Sequence, residues 1–147
     1  MALQSFSHIG ICVTDLEVST RFYTQVLGFR ELFSADFGDE LVATMEADGS
    51  FTSRMLARDD LRIELLHWHD QAPSGDGERC PMTARGITHL CFRVEAVDDL
   101  LDLAETYGGT AHPATRTDLD GGVAVVYLTD PDGVRIECMA GVPDLAG

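Results

Sequence analysis

An internal repeat limits this chain to folds that are built from two similar halves. Each half begins with a histidine at the start of an apolar stretch, His8 in the first and His89 in the second, 81 residues apart (89 − 8). Each half ends on nearly the same sequence, LRIELL at 61–66 and VRIECM at 134–139. Self-similarity at a fixed period is the mark of a duplicated structural unit. We therefore predict two modules with the same order of elements.

Each module is predicted to contain one strand, one helix and then several strands. In the first half, Asp15 is placed to cap a helix that Gly28 ends, and in the second half Gly108 and Gly109 end the helix. The sequence DPDG at 130–133 predicts the last turn. The strands are predicted at 6–13, 29–36, 51–58 and 61–68, and then at 88–94, 110–116, 122–129 and 134–139, with the second helix at 97–107.

The first half contains one additional segment. Glu64 follows His8 by 56 residues (64 − 8), whereas Glu137 follows His89 by only 48 residues (137 − 89). The additional residues are assigned to 38–49, where apolar side chains have helical spacing. We expect a short helix there that leans over the mouth of a cavity.

Strand alternation predicts a set of four metal ligands. Side chains on a strand point alternately to opposite faces, so His8, Glu64, His89 and Glu137 are each expected to point away from the face that the helices cover. Two imidazoles and two carboxylates form a nitrogen and oxygen ligand set that suits a divalent ion such as Zn, Ni, Co, Mn or Fe(II). We predict that these four residues bind one such ion and that open positions remain for a substrate.

The other histidines and the cysteines are assigned to structure. His67 and His69 share a strand face with each other but not with Glu64, and His112 stands before a proline at a strand start, so all three are placed at the rim or surface. Three of the four cysteines lie within apolar runs and no C-x-x-C pair occurs, which favours reduced core residues over a disulfide framework or a thiolate metal site. These three cysteines are Cys12, Cys91 and Cys138, and the fourth is Cys80.

Composition argues against several classes of function. The net charge of −15 disfavours a nucleic-acid surface, because phosphates would be repelled. All ten basic residues are arginine, which excludes Schiff-base chemistry on a lysine. No apolar run approaches the ~20 residues that span a bilayer, and the N-terminus lacks the pattern of a signal peptide. We expect a cytoplasmic protein without membrane or nucleic-acid partners.

At this level the sequence resembles the vicinal oxygen chelate superfamily, also called the glyoxalase/bleomycin resistance/dioxygenase proteins. The resemblance extends over nearly the whole chain, and the duplicated histidine and glutamate positions are specific to the superfamily rather than to one reaction. The motifs that carry it are SHIGICV, FYTQVLGF, RIELL, GITHLCFRVEAVDDL and YLTDPDGVRIEC.

The resemblance implies an α+β fold in which two βαβββ modules form a partly open curved barrel. It implies one domain, 1–147, made of module 5–70 and module 85–141 with a linker at 71–84, and a homodimer that acts on a small carbonyl or thioester substrate. The metal site would form within one chain or across the dimer.

The resemblance also suggests the reaction. In glyoxalase I (lactoylglutathione lyase) and methylmalonyl-CoA epimerase, a metal polarises a substrate carbonyl and a carboxylate moves a proton on the adjacent carbon. Glu137 is the first candidate for that carboxylate and Glu64 the second. The Gly-Ile-x-His run at 86–89 is similar to the epimerase, whereas a glutamate at position 64 is closer to glyoxalase I.

Two further readings of the resemblance remain open. An extradiol-type dioxygenase would use Fe(II) on His8, His89 and Glu137, and a Y-x-x-D-P-x-G-x-x-x-E sequence starts at Tyr127, but the preceding histidine of that signature is missing. An antibiotic-binding resistance protein on this fold would need a groove and no metal.

Overall fold

The computed structural model describes residues 1–145, and the chain divides into two compact units, Met1–Ser74 and Gly75–Gly147. In the first unit the elements are β1 (Ile9–Cys12), α1 (Leu16–Gln25), β2 (Arg30–Phe37), a 3-10 turn (Asp39–Leu41), α2 (Val42–Met45), β3 (Phe51–Arg58) and β4 (Leu61–Trp68). In the second unit they are β5 (Leu90–Val94), α3 (Val97–Thr106), β6 (Thr110–Leu119), β7 (Val123–Thr129) and β8 (Arg135–Ala140). The predicted α+β class and the repeated βαβββ order are confirmed.

Each unit contains one four-stranded sheet, and the two sheets have the same topology. The strand order is β1-β4-β3-β2 in the first unit and β5-β8-β7-β6 in the second. The first strand of each unit pairs in parallel with the last, so that Ile9 lies opposite Ile63 and Leu90 opposite Ile136. The remaining pairs are antiparallel. The hairpin at 51–58 and 61–68 has the predicted bounds.

The short helical segment of the first unit is present within the predicted range 38–49, as the 3-10 turn followed by α2. The second unit has no counterpart between α3 and β7 among the residues described, which accounts for the difference in length. The proposed position of this segment over a cavity remains a prediction.

Helix α1 begins where its sequence indicates. Asp15 is extended, with φ −127° and ψ 112°, and its Oδ1 accepts a hydrogen bond of 2.9 Å from the Val18 N–H. This bond satisfies one of the amide donors that have no partner inside the helix. Gly28 follows the helix with φ +69°, a conformation that glycine adopts without a Cβ clash. Between these limits Phe22 and Tyr23 are fully buried.

The core lies on one face of each sheet, and strict alternation along the last strands keeps it there. In β4, Ile63 and Leu65 are fully buried, and in β8, Ile136 and Cys138 are fully buried. The residues between them, including the glutamate of each strand, are partly exposed on the opposite face.

The cysteines correct one sequence expectation. Cys138 is buried as predicted, but Cys12 and Cys91 are exposed. Cys12 follows His8 by four residues, and Cys91 follows His89 by two. Because side chains alternate along a strand, each cysteine lies on the same face as the histidine of its unit and points away from the core. An apolar run does not specify which face a residue occupies.

The DPDG turn that leads into β8 is confirmed. The Asp130 carboxylate accepts hydrogen bonds from the N–H of Asp132 at 2.9 Å and of Val134 at 2.8 Å. Gly133 has φ +86°, and a Cβ there would lie 2.2 Å from the carbonyl oxygen of Gly77. The close approach of this backbone therefore requires glycine. No helix within residues 1–145 is long and apolar enough to cross a membrane.

Replacing Asp15 with Ala is expected to lower the free energy of unfolding by about 1 kcal/mol, because the N-cap acceptor is lost. Asp15→Asn keeps an acceptor oxygen and should be close to the wild type. Urea denaturation followed by circular dichroism measures both. Equal midpoints for Asp15→Ala and Asp15→Asn would show that the cap does not contribute.

Candidate metal-binding pairs

In the first unit, parallel pairing brings His8 next to Glu64. His8 precedes β1 by one residue, and Glu64 lies in the middle of β4 opposite Gly10. The His8 Nε2 atom is 3.6 Å from the Glu64 Oε2 atom. The exposed fraction of the side chain is 35% for His8 and 19% for Glu64, so the pair is open to solvent mainly through the imidazole.

In the second unit the same construction brings His89 next to Glu137. His89 precedes β5 by one residue, and Glu137 lies opposite Cys91 in the parallel pair of β5 and β8. The His89 Nε2 atom is 2.9 Å from the Glu137 Oε2 atom, and the two side chains are 27% and 18% exposed. Each predicted histidine is thus paired with the predicted glutamate of its own unit.

A hydroxyl group holds the other nitrogen of both imidazoles. Ser7 Oγ is 2.9 Å from His8 Nδ1, and Thr88 Oγ1 is 2.8 Å from His89 Nδ1. When the hydroxyl oxygen accepts from Nδ1–H, the lone pair of the neutral ring is on Nε2, on the side of the glutamate. A second hydrogen bond of this kind is the usual support of a histidine that binds a metal.

Both pairs have the spacing of two ligands on one ion. Nitrogen and oxygen ligands lie about 2.1 Å from a divalent ion such as zinc, so neighbouring ligands are about 3 to 3.4 Å apart. The two separations, 3.6 and 2.9 Å, lie within about 0.2 Å of the two ends of this range. Within either unit, no group of three or more His, Cys, Asp or Glu side chains of residues 1–145 is arranged to bind a metal. Each unit by itself therefore offers one nitrogen and one oxygen ligand.

The surroundings of the two glutamates differ. The strand neighbours of Glu64 are Gly10 and Met55, whereas those of Glu137 are Cys91 and Tyr127. Hence only the second pair has side chains beside it that carry a thiol and a phenol.

The charge of Glu137 contributes to a raised pKa at both Cys91 and Tyr127. Partial removal from water raises the pKa of the Cys91 thiol to about 11, and Glu137 adds to the rise through its charge and through a hydrogen bond with the thiol. Burial, followed by the charge of Glu137, also raises the pKa of Tyr127. The Tyr127 ring contacts the His89 ring edge-to-face, with centroids 5.8 Å apart. At neutral pH both groups are protonated neighbours of the second pair.

Two of the three remaining histidines form hydrogen bonds outside the two pairs. His69 is bonded at Nδ1 to Ser50 and at Nε2 to Thr52, each at 2.8 Å. His112 Nε2 is 3.2 Å from the Thr129 hydroxyl, and burial lowers its pKa, with Arg79 adding to the effect. All three remaining histidines, His67 among them, are at least partly exposed, in agreement with their assignment to the rim or surface.

Ser7 and Thr88 are site residues that sequence reasoning missed. The signal was present, because a hydroxyl residue precedes the histidine in both halves of the repeat. Whether this hydroxyl reaches the imidazole depends on the backbone conformation of the two adjacent residues, and the sequence pattern does not specify that conformation.

Comparison with known proteins assigns the family. The sequence model of the Glyoxalase/Bleomycin resistance protein/Dioxygenase superfamily matches residues 5–138. The chain belongs to this superfamily. The match includes both histidines and both glutamates of the pairs.

Individual members of the superfamily are related at low sequence identity. Lactoylglutathione lyase from Pseudomonas putida is 29% identical, and the alignment covers 94% of this chain and 86% of that protein. A glyoxalase family protein from Bacillus cereus has a TM-score of 0.80 at 19% identity, covering 97% of this chain and 99% of that one. The fosfomycin resistance protein FosX from Listeria monocytogenes, solved with Mn(II) and sulfate, has a TM-score of 0.60 at 20% identity over 95% and 94% of the chains. The structural matches establish the fold.

The contact between Cys91 and Glu137 predicts slow alkylation of this exposed thiol. In metal-free protein at pH 8.5, iodoacetamide should modify Cys91 slowly, because little thiolate is present well below a pKa of about 11. Glu137→Gln removes the negative charge that raises this pKa and should accelerate the reaction severalfold. Mass spectrometry of the peptides measures the rates.

Cys80, which is also exposed, serves as the internal control and should react at the same rate in both proteins. An unchanged Cys91 rate in Glu137→Gln would contradict the contact.

Proposed function

We propose that this protein is a metal-dependent superfamily enzyme that moves a proton on the carbon next to a substrate carbonyl. His8, Glu64, His89 and Glu137 are proposed as the ligands of one divalent ion, either within one chain or across a homodimer. The observation that carries the proposal is that each unit supplies an imidazole–carboxylate pair, 3.6 and 2.9 Å apart, with the same hydroxyl support behind the imidazole.

The chemistry requires such a ligand set. A proton next to a carbonyl is too weakly acidic for a free carboxylate to remove at a useful rate. A divalent ion in this set would polarise the carbonyl oxygen and stabilise the negative charge that develops there. The chain itself must then supply the base, the orientation of the base and the exclusion of water.

We propose Glu137 as the residue that accepts and returns the proton, with Glu64 as the alternative. The support lies in the neighbours of the two carboxylates. Glu137 is flanked by a thiol and a phenol, both protonated at neutral pH, whereas Gly10 and Met55 beside Glu64 carry no such group. This difference suits Glu64 to a static ligand role and Glu137 to proton transfer.

The relative named lactoylglutathione lyase makes a glyoxalase I-like conversion of a thiol adduct the first reaction to test. An epimerase-like proton exchange on a thioester is the second. Both reactions proceed without oxygen, so an oxygen electrode separates them from a dioxygenase acting on a catechol.

Metal binding is expected to depend on both histidine pairs. His8→Ala or His89→Ala should weaken divalent-ion binding by well over tenfold, and Ser7→Ala or Thr88→Ala by about tenfold, because loss of a supporting hydrogen bond typically costs that much. His69→Ala is the matched control, since its ring is already held by Ser50 and Thr52. Calorimetric titration of metal-stripped protein with Zn²⁺, Ni²⁺, Co²⁺ and Mn²⁺ measures the affinities.

Equal metal affinity in His8→Ala, His89→Ala and His69→Ala would overturn the ligand assignment and favour a metal-free binding protein. A mixed dimer of His8→Ala and His89→Ala chains then locates the site. If each site uses one histidine from each chain, one intact site per dimer remains. If each site lies within one chain, none remains.

Glu137→Gln is expected to lower the rate of solvent proton exchange into the substrate by about 10²-fold or more, the usual contribution of a positioned base. The metal-loaded protein is assayed with a methylglyoxal–thiol adduct and with a methylmalonyl thioester, with exchange followed by NMR in deuterium oxide. Metal content is measured in the same samples, so that loss of the ion is distinguished from loss of the base. Unchanged exchange in Glu137→Gln together with a large loss in Glu64→Gln would assign the base to Glu64 instead of Glu137. Oxygen uptake with a catechol as the substrate would show that the protein is a dioxygenase and not a proton-transfer enzyme.

A further inference from the structure

One arginine of the second unit, Arg135, has a guanidinium N–H donor without a hydrogen-bond acceptor. Arg135 lies on β8 two residues before Glu137, so both side chains are on the same face of the strand. Its Nη2 donates a 2.7 Å hydrogen bond to the Cys80 carbonyl oxygen, and its Cζ lies 5.3 Å from the centre of the Tyr127 ring. Its Nε is buried and has no hydrogen-bond partner.

The charge of Arg135 is also unpaired. Four other arginines have a carboxylate within 4.0 Å, whereas no carboxylate of residues 1–145 lies within that distance of Arg135. Five further arginines of the described residues also form no such ion pair, so it is the buried Nε without an acceptor, and not the missing carboxylate, that distinguishes Arg135. A buried N–H donor without an acceptor destabilises the folded protein. Arg135 as a whole is only half-buried, and the planar fork of its guanidinium matches the geometry of an oxyanion.

Arg135 is separated from the second pair by a single side chain. The Tyr127 ring contacts both the Arg135 guanidinium and, in an edge-to-face arrangement, the His89 ring. In the sheet, Tyr127 lies directly opposite Glu137. A molecule whose anionic group is held by Arg135 would therefore lie within reach of His89 and Glu137.

A second arginine adds positive potential nearby. Burial lowers the pKa of His112, and the charges of Arg79 and Arg135 lower it further, while Glu105 and Glu78 act in the opposite direction. Burial is the largest cause of the shift, but among the four charges each arginine acts more strongly on the pKa of His112 than either glutamate does. Such a local field favours an anion over a neutral ligand.

We infer that Arg135 binds a carboxylate group of the substrate, and that the substrate class is a carbonyl compound carrying a carboxylate at a distance from the reacting carbon. This inference rests on the proposed function, because it assigns a specificity role beside the proposed proton-transfer residue. Arg135 positions the substrate and takes no part in the proton transfer.

The first test uses metal-stripped protein and malonate as the probe. Arg135→Gln should lose about tenfold or more in malonate affinity, because a charge-assisted hydrogen bond is removed. Arg62→Gln is the matched control, since Arg62 also stands two residues before the glutamate of its strand but in the first unit. Chemical-shift titration measures both affinities. Equal malonate affinity in the two variants, or none in the wild type, would overturn the inference.

The second test separates binding from chemistry in the metal-loaded enzyme. With a carboxylate-bearing substrate, Arg135→Gln should raise KM about tenfold while kcat stays within about threefold, as expected for uniform binding. With the methyl ester of the same substrate, the variant and the wild type should have equal KM. A fall in kcat with unchanged KM for both substrates would assign Arg135 to structure or catalysis and not to recognition.

The inference and the proposed function fail in different ways. If no divalent ion binds, the proposed function fails, while loss of malonate binding in Arg135→Gln still supports the anion site. Arg135→Lys keeps the charge but lacks the Nε donor, and it replaces Arg135→Gln if that variant does not fold. It should bind malonate more weakly than the wild type, and equal affinity would overturn recognition by the guanidinium fork.

Discussion

The parallel pairing of the first and last strands is the constraint on which each candidate pair depends. It joins a histidine just before one strand to a glutamate in the middle of another, although they are 56 residues apart in the first unit (64 − 8) and 48 in the second (137 − 89). The pairing also buries Ile63 and Leu65, which alternate with Glu64. A slip of one residue would turn the carboxylate into the core and these aliphatic side chains into water. Core formation and orientation of the glutamate are therefore the same event.

Duplication explains why the two pairs are similar, and local substitution explains why they differ. The register and the hydroxyl that precedes each histidine are the same in both units. At the two positions opposite the glutamate, glycine and methionine in the first unit are replaced by cysteine and tyrosine in the second. Because the backbone is fixed by the core on the other face, these positions are free to vary. Functional asymmetry can thus arise without any change of fold.

Much of the fold, and the placement of each glutamate on the strand face away from the core, followed from period and parity. Alternation placed His89 and Glu137 on the open face of their strands, and Asp15 marked the start of α1. Three kinds of information were not accessible. To predict that Cys91 is exposed, strand alternation would have to be given more weight than the apolar character of its neighbours. The hydroxyl bond of Thr88 required a backbone conformation, and the unpaired Nε of Arg135 required the path of a distant segment that supplies the Cys80 carbonyl.

Electrostatics connect the proposed metal ligands with the proposed substrate. Glu64 and Glu137 would bring two negative charges to a shared site in a chain whose net charge is already −15. These charges attract a divalent cation but repel an anionic substrate. Binding of the cation offsets the two carboxylates, and an arginine without a carboxylate partner then leaves the site with a net positive charge. In this scheme Arg135 already binds the anion in the metal-free protein, and metal binding, which neutralises the glutamates, strengthens that binding.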